Sequence, residues 1–120
     1  MYNFEDRLTQ DYPNITFKFI RLIHDTEGAV ESINIGLKHL GDINEPVLCL
    51  DGDNFYTVDV VSLWNKQNKI FTFTDETDSN MYSYVDIKGN KITNIIEKVK
   101  ISNDACSGAY GFSSSKQLLE

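Results

Sequence analysis

Two carboxylates capable of binding a metal follow a short apolar run. Asp51 and Asp53 flank Gly52 directly after Pro46-Val47-Leu48-Cys49-Leu50. Hard divalent cations prefer carboxylate oxygens, and a glycine between two aspartates lets the backbone turn tightly and a phosphate approach closely. Asp51-Gly52-Asp53-Asn54 is also good turn-forming sequence. These residue types therefore fit either a magnesium site for a nucleotide or a simple turn.

Calcium is the first alternative for an Asp-x-Asp sequence, because an EF-hand loop begins in the same way. In that alignment Phe55 takes the fifth position, Tyr56 replaces the turn glycine and Ser62 replaces the bidentate glutamate. The EF-hand interpretation therefore fails.

A second candidate segment, Asp25 to Val30, joins a predicted strand to a predicted helix. The amino end of a helix presents free N–H groups and a partial positive charge, so Thr26, Gly28 and Ala29 are candidates for holding an anion or a base edge. The alternative is that Asp25 or Thr26 only caps the helix.

Two further segments carry polar or small residues near strand ends. Glu97 could accept hydrogen bonds from sugar hydroxyls and Lys98 could meet a phosphate, although such a pair is also common on protein surfaces. Ser107 to Phe112 alternates small and aromatic residues around Gly108, which indicates close backbone approach to a ligand or to another strand.

The elements that must position these residues alternate between helix and strand, which predicts an α/β fold. Apolar spacing predicts a helix over Tyr2 to Tyr12, a helix from Val30 to Leu40 that Gly41 ends, and a helix over about Val58 to Trp64. Strands are predicted at Ile15 to Leu22, Pro46 to Leu50, Lys69 to Thr74, Met81 to Ile87 and Ile92 to Glu97. The strand–helix–strand order of the first two predicts a parallel pair, and the Gly89-Asn90 turn predicts a hairpin.

Composition limits the partners. The 120 residues are enough for a single domain, and a net charge of -7 argues against a nucleic-acid binder, which would cluster lysine and arginine. The sequence shows no signal or membrane segment. The two cysteines, Cys49 and Cys106, form no Cys-x-x-Cys pair and fit the reducing cytoplasm as free thiols. The expected location is therefore cytoplasmic.

Taken in order, four segments resemble the interior of sugar-phosphate nucleotidyltransferases, including those of capsule and surface-polysaccharide synthesis. Thr26-Glu27-Gly28-Ala29 resembles the family's Thr-x-Gly-Ala segment near the base, and Leu50 to Asn54 resembles its Gly-Asp metal segment. Ile96-Glu97-Lys98 resembles Val-Glu-Lys-Pro, with Val99 in place of the proline, and Ser107 to Phe112 resembles Gly-x-Tyr-x-Phe.

The resemblance implies a partial Rossmann-like fold of the GT-A type with a mixed sheet. It implies that Asp53, with Asp51 as a second candidate, binds Mg²⁺, and that a nucleoside triphosphate and a sugar phosphate are the substrates. It places the nucleotide near Thr26, Gly28, Ala29 and Gly52, and the sugar phosphate near Glu97, Lys98 and Gly108.

The sequence departs from the family in one major respect, because it contains no Gly-x-Gly-x-Arg loop to hold the triphosphate. The resemblance then implies a truncated domain, inactive alone, that lacks the family's first strands. The strands predicted at Ile15 to Leu22 and Pro46 to Leu50 would each lack a neighbour, so self-association or pairing with a missing amino-terminal segment is expected.

Two other functions remain open. One is a non-catalytic remnant that binds a nucleotide-sugar or a protein partner. The other is a metal-dependent glycosyltransferase in which Asp51 and Asp53 together form an Asp-x-Asp motif.

Overall fold

The structure, a computed structural model, describes residues 3–120, and the chain divides into two compact units. The first unit runs up to Asp42 and the second spans Ile43–Glu120. The first holds two helices, α1 (Phe4–Asp11) and α2 (Ala29–His39). The second holds five strands and two short helices: β1 (Val47–Leu50), α3 (Val60–Leu63), β2 (Lys69–Thr74), β3 (Ser83–Lys88), β4 (Lys91–Glu97), β5 (Asp104–Phe112) and α4 (Ser115–Leu119).

Helix α1 begins where a side chain caps its first turn. The Asn3 side chain accepts a hydrogen bond from the backbone N–H of Asp6 at 3.2 Å, which satisfies one of the free donors at the helix start. The helix ends before Pro13, as predicted, because proline disfavours helical backbone in the residue before it. The predicted start at Tyr2 lies outside the described residues.

Helix α2 confirms the helix predicted from the spacing of Val30, Ile33, Leu37 and Leu40. It runs over Ala29–His39, and Leu37 is its buried residue. Gly41 has a φ of +85°, the left-handed backbone that commonly follows a helix end. The position of that glycine therefore predicts the end of the helix correctly.

The strand predicted at Ile15 to Leu22 is wrong. This segment belongs to no helix or strand, and it pairs with none of the described strands. Phe17 and Phe19 stack on each other with ring centroids 5.6 Å apart, and Lys18 donates through its ammonium group to the carbonyl of His39. Alternation of apolar and polar residues favours extended backbone, but a strand also needs a neighbouring edge, which this segment lacks.

The sheet of the second unit is antiparallel at each pairing between its described strands. Its strand order is β1-β5-β3-β4, and β2 also pairs with β5. The parallel pair predicted between Ile15 to Leu22 and Pro46 to Leu50 is therefore wrong, because the first of these segments forms no strand. β1 instead lies antiparallel to β5, with Val47 opposite Phe112 and Leu50 opposite Ala109. The chain is a small mixed α/β protein built on this five-stranded sheet.

Strand β5 carries an insertion next to the end of β1. Phe71 of β2 lies opposite Ala109, whereas the next residue, Thr72, lies opposite Cys106. Ser107 and Gly108 are thus unpaired on this side and form a bulge, and Gly108 has a φ of +81°. Bulges bend a strand and redirect its neighbours, and they are common beside functional sites.

The predicted hairpin and the short helix after β1 are confirmed. Strands β3 and β4 pair from Ser83↔Glu97 to Lys88↔Lys91, so Gly89 and Asn90 form a two-residue turn in which Gly89 has a φ of +62°. Helix α3 covers only Val60–Leu63, less than the predicted stretch.

The core of the second unit lies where β3 and β5 meet. Tyr84 lies opposite Ala105 across these strands, and Val85 follows Tyr84. The buried apolar side chains of these two strands are Tyr84, Val85, Ala105, Cys106 and Ala109, and Val60 of α3 is also buried. Among the described residues, no helix is both long enough and apolar enough to span a bilayer.

Candidate functional site

The candidate site is the carboxyl end of β1, where the chain turns away from the sheet beside the bulge of β5. The backbone N–H of Asp51 donates to the carbonyl of Gly108 at 2.9 Å, which continues the β1–β5 pairing by one residue beyond Leu50. Two segments separated by more than fifty residues in the sequence are thereby joined. Asp51 and Gly108, both predicted site residues, lie in direct contact.

The absence of a side chain at Gly108 allows this contact. A β-carbon at this position would overlap the Oδ2 atom of Asp51 and the Nδ2 atom of Asn54, and it would lie 2.8 Å from the Cγ atom of Asp51. Gly108 also has the left-handed backbone, which side-chain-bearing residues rarely adopt. Glycine is therefore required here both by its neighbours and by its own conformation.

The loop after Asp51 is attached to the same bulge by side chains. The Asn54 amide donates through Nδ2 to the Ser107 carbonyl at 2.9 Å, and the Tyr56 hydroxyl donates to the same carbonyl at 3.1 Å. The Ser107 hydroxyl in turn donates to the carbonyl of Phe71 in β2 at 2.7 Å. The loop, the bulge and β2 thus form one hydrogen-bonded assembly.

A phenol lies on the β5 side of this cluster. Partial burial, followed by the negative fields of Cys106 and Asp51, raises the pKa of Tyr110 to about 12. Burial likewise raises the pKa of the Cys106 thiol. At neutral pH both groups therefore keep their protons, and Cys106 has no character of an activated nucleophile.

Asp51 and Asp53 supply two exposed carboxylates, fewer ligands than a metal ion held by protein side chains alone requires. Within residues 3–120, no group of three or more His, Cys, Asp or Glu side chains is arranged to hold a metal ion. Magnesium commonly binds through one or two carboxylates and completes its shell with water and substrate phosphates. Both aspartates are exposed, as is Gly52 between them, so water and a phosphate can reach them.

The two aspartates are not equivalent in the structure. Asp51 is fixed by its backbone bond to Gly108 and by the contact of its carboxylate with that residue. Asp53 lies in the exposed turn that follows. The resemblance favours Asp53 as the metal ligand, whereas in the structure Asp51 is the aspartate whose carboxylate is held in place.

The predicted nucleotide residues Thr26, Gly28 and Ala29 belong to the first unit. Gly28 is the residue before α2 and Ala29 is the first residue within it, with no side chain capping the helix. The interpretation of Asp25 or Thr26 as a cap is therefore wrong. The Thr26 hydroxyl instead bonds to the Ser32 hydroxyl at 2.7 Å.

The predicted substrate residues Glu97 and Lys98 lie at the end of β4, on the far side of β3 from β5. Glu97 pairs with Ser83, and the Lys98 N–H donates to the carbonyl of Tyr82 at 2.8 Å. Lys98 has a φ of +55°, which is uncommon for a residue with a side chain. No hydrogen bond or ion pair between described residues links this pair to Asp51.

A second cluster of polar groups surrounds Asp75, the residue that follows β2. Asp75 is 5% exposed, and its carboxylate accepts from the Thr77 hydroxyl at 2.6 Å and the Tyr84 hydroxyl at 2.8 Å. Lys100 lies 3.6 Å from the same carboxylate. Hydrogen bonds from Thr77 and then Tyr84 lower the pKa of Asp75 to about 2. The cluster holds the loop against the core.

The sequence reasoning assigned no role to Asn54, Tyr56 or Tyr110. Asn54 and Tyr56 follow the Asp-Gly-Asp segment directly, so their place in the same loop was a usable signal. Their common acceptor, the Ser107 carbonyl, is more than fifty residues away and could not be identified from spacing.

Comparison of the chain with protein-family models, with curated proteins and with solved structures finds no match in any of the three.

Proposed function

We propose that the second unit binds a magnesium–nucleotide pair at the carboxyl end of β1, as a partial nucleotidyltransferase-like domain of the sugar-phosphate type. The observation that carries the proposal is the convergence of Asp51 with Gly108. These residues belong to two of the four segments that resemble the family, and nothing in their sequence spacing requires them to meet. Their contact places an exposed carboxylate at the end of β1, where water and a phosphate can reach it.

The predicted site residues have different roles in this proposal. Asp51 and Asp53 ligate Mg²⁺, which offsets the negative charge of the phosphates when bound. Gly52, which is exposed, leaves the backbone open to the ligand, whereas Gly108 is buried against the Asp51 and Asn54 side chains, which fill the space that a substrate would need. Glu97 and Lys98 remain candidates for the sugar phosphate. Thr26, Gly28 and Ala29 belong to the first unit and have no role in the site proposed for the second.

We propose binding without efficient turnover for this chain. Nucleotidyl transfer depends on positioning and on charge stabilisation at the phosphate, and the 120 residues contain no glycine-rich loop with an arginine to supply them. The finer fold, a partial GT-A type arrangement, is part of the same proposal. It is supported by β1, which pairs with β5 on one edge and with no other described strand, as expected where neighbouring strands are lacking.

The open edge of β1 also supports self-association or capture of a further strand, because unpaired backbone groups on an edge are a template for pairing. A cytoplasmic location fits Cys49 and Cys106, which are free thiols.

The test is a calorimetric titration of the purified chain with Mg²⁺ and each nucleoside triphosphate. We expect Asp51→Asn and Asp53→Asn to weaken binding about tenfold or more, a loss of at least ~1.4 kcal/mol. Asp78→Asn is the matched control, because it removes an exposed carboxylate elsewhere in the same unit. Equal affinity in wild type and all three variants would remove the proposed site.

A turnover assay separates the three functions. Magnesium-dependent nucleotide binding without pyrophosphate release, in the presence of a sugar 1-phosphate, supports a binding remnant. Pyrophosphate release that Asp53→Asn abolishes supports a working transferase. Slow hydrolysis of a nucleotide-sugar would instead assign the site to a metal-dependent glycosyltransferase.

A further inference from the structure

We propose that Asn54 and Tyr56 are positioning residues, which orient the Asp51 carboxylate by holding its loop to the Ser107 carbonyl. The inference deepens the proposed function and rests on it, because it concerns the same metal site. It assigns a role to two side chains that donate hydrogen bonds to the Ser107 carbonyl.

The loop from Asp51 to Tyr56 is anchored to the sheet by hydrogen bonds. Between Asp51 and Tyr56 the chain is in no helix or strand, so its own backbone does not fix its shape. It is tied to the β5 bulge at both ends: the Asp51 N–H binds the Gly108 carbonyl, and the Asn54 and Tyr56 side chains bind the Ser107 carbonyl. The Asp51 carboxylate lies between these anchors.

The bulge that anchors the loop is itself tied to β2. The Ser107 hydroxyl donates to the Phe71 carbonyl at 2.7 Å, which ties the bulge to β2. On either side of the bulge, Cys106 and Ala109 are buried and paired with β2. A loop bound to such a bulge inherits its position, so the carboxylate is oriented before any ligand arrives.

The Asn54 and Tyr56 side chains donate to the same oxygen, the carbonyl of Ser107. A carbonyl oxygen has two lone pairs, and Asn54 and Tyr56 supply two donors to it. The amide of Asn54 also lies beside Asp51 in the space that a β-carbon at Gly108 would fill. Loss of the Asn54 amide would free the loop and leave the carboxylate with more conformations to lose on binding a metal.

The experiment uses Mn²⁺ alone and the isotopically labelled full chain, observed by NMR. We expect Asn54→Ala to raise the Kd for Mn²⁺ about tenfold, the lower end of the effect of removing groups that orient metal ligands. Tyr56→Phe removes a single hydroxyl and should raise the Kd by a smaller factor in the same direction. Asn94→Ala, at an exposed position in β4, is the control and should leave the Kd unchanged.

A second readout separates positioning from general loss of structure. Mn²⁺ held by Asp51 should strongly broaden the amide signal of Gly108, which that carboxylate contacts. In Asn54→Ala at saturating Mn²⁺ the broadening at Gly108 should fall, while the signals of β2 and β3 keep their positions.

Two results would overturn the inference, and they are distinguishable. If the wild-type chain binds Mn²⁺ and both variants bind it equally well with the same broadening at Gly108, the positioning role is wrong and the metal site stands. If the wild-type chain shows no Mn²⁺ binding near Asp51, the proposed site fails and the positioning role fails with it. Tyr56→Phe keeps the test decisive if Asn54→Ala does not fold.

Discussion

The Asp51 carboxylate occupies the space beside Gly108 that the β-carbon of any other residue would fill. Asp51 and Gly108 are far apart in the sequence. Their contact depends on the antiparallel pairing of β1 with β5 and on the bulge at Ser107 and Gly108. One irregularity in one strand thus positions the carboxylate of a metal-ligand candidate.

Gly108→Ala should be more damaging than an alanine at another left-handed glycine. Gly89 has a φ of +62°, and a β-carbon there would meet no atom within 4 Å, so Gly89→Ala should cost only the backbone contribution of about 1–2 kcal/mol. Gly108→Ala adds displacement of Asp51 and Asn54, a further cost of about 1–3 kcal/mol typical of overpacking. Urea denaturation of both variants measures the difference, and equal losses would contradict the close contact at Gly108.

Asp75 should make the second unit sensitive to acid. Its folded pKa of about 2 lies below the ordinary value of 3.8, so its stabilising effect is present above pH ~4 and is lost as the pH falls toward about 2. Asp75→Asn should lower the urea midpoint at pH 7 and flatten the decline between pH 4 and 2. Asp78→Asn, which changes an exposed carboxylate, should keep the wild-type pH profile. An unchanged decline in Asp75→Asn would contradict this assignment.

Ionisation of Tyr110 should destabilise the fold at alkaline pH. Its folded pKa of about 12 is above the ordinary value of 10, so its contribution is complete below pH ~10 and is lost as the pH rises through about 12. Absorbance at the tyrosinate band should show late ionisation of one phenol that disappears in Tyr110→Phe. The pKa of Tyr84 is also raised, so the difference between wild type and Tyr110→Phe is the informative quantity.

Gly111→Ala should displace Trp64, the single tryptophan of the chain. A β-carbon at Gly111 would overlap the indole and lie 2.7 Å from its Cε2 atom, whereas the indole Nε1 now donates to the Gln67 carbonyl at 2.8 Å. We expect a red shift of the fluorescence and a loss of about 1–3 kcal/mol in stability. Gly36→Ala, in open space on α2, should leave the emission unchanged. The same emission in Gly111→Ala would contradict the packing of Trp64 on β5.

Local signals predicted much of the secondary structure. The spacing of Val30 to Leu40 predicted α2, Gly41 predicted its end, and Gly89-Asn90 predicted the hairpin, because each of these depends on residues within a few positions. The strand predicted at Ile15 to Leu22 was wrong for the opposite reason. Its alternation matches a strand, but the existence of a strand depends on a partner edge elsewhere in the chain.

The polar clusters also combine features that nearby residues predict with contacts that depend on distant segments. The Asp-Gly-Asp segment was recognisable as a candidate site, while its attachment to Ser107 required the register of β1 with β5. Asp75 looked like any other loop carboxylate because its partners Tyr84 and Lys100 come from later segments. The sequence nevertheless contains a signal for the importance of Asp75, since this residue directly follows β2, as Asp51 directly follows β1.

The arrangement of partners around β5 has a consequence for how the second unit opens. Strands β1, β2 and β3 each pair with β5, whereas β4 is joined to the sheet through β3 alone. Fraying at β4 can therefore expose its amides to solvent exchange while the rest of the sheet persists. Release of β5 would separate three strands at once, so its amides exchange on the timescale of whole-unit unfolding. We therefore expect β5, the strand that shapes the proposed metal site, to be the slowest-exchanging part of this unit.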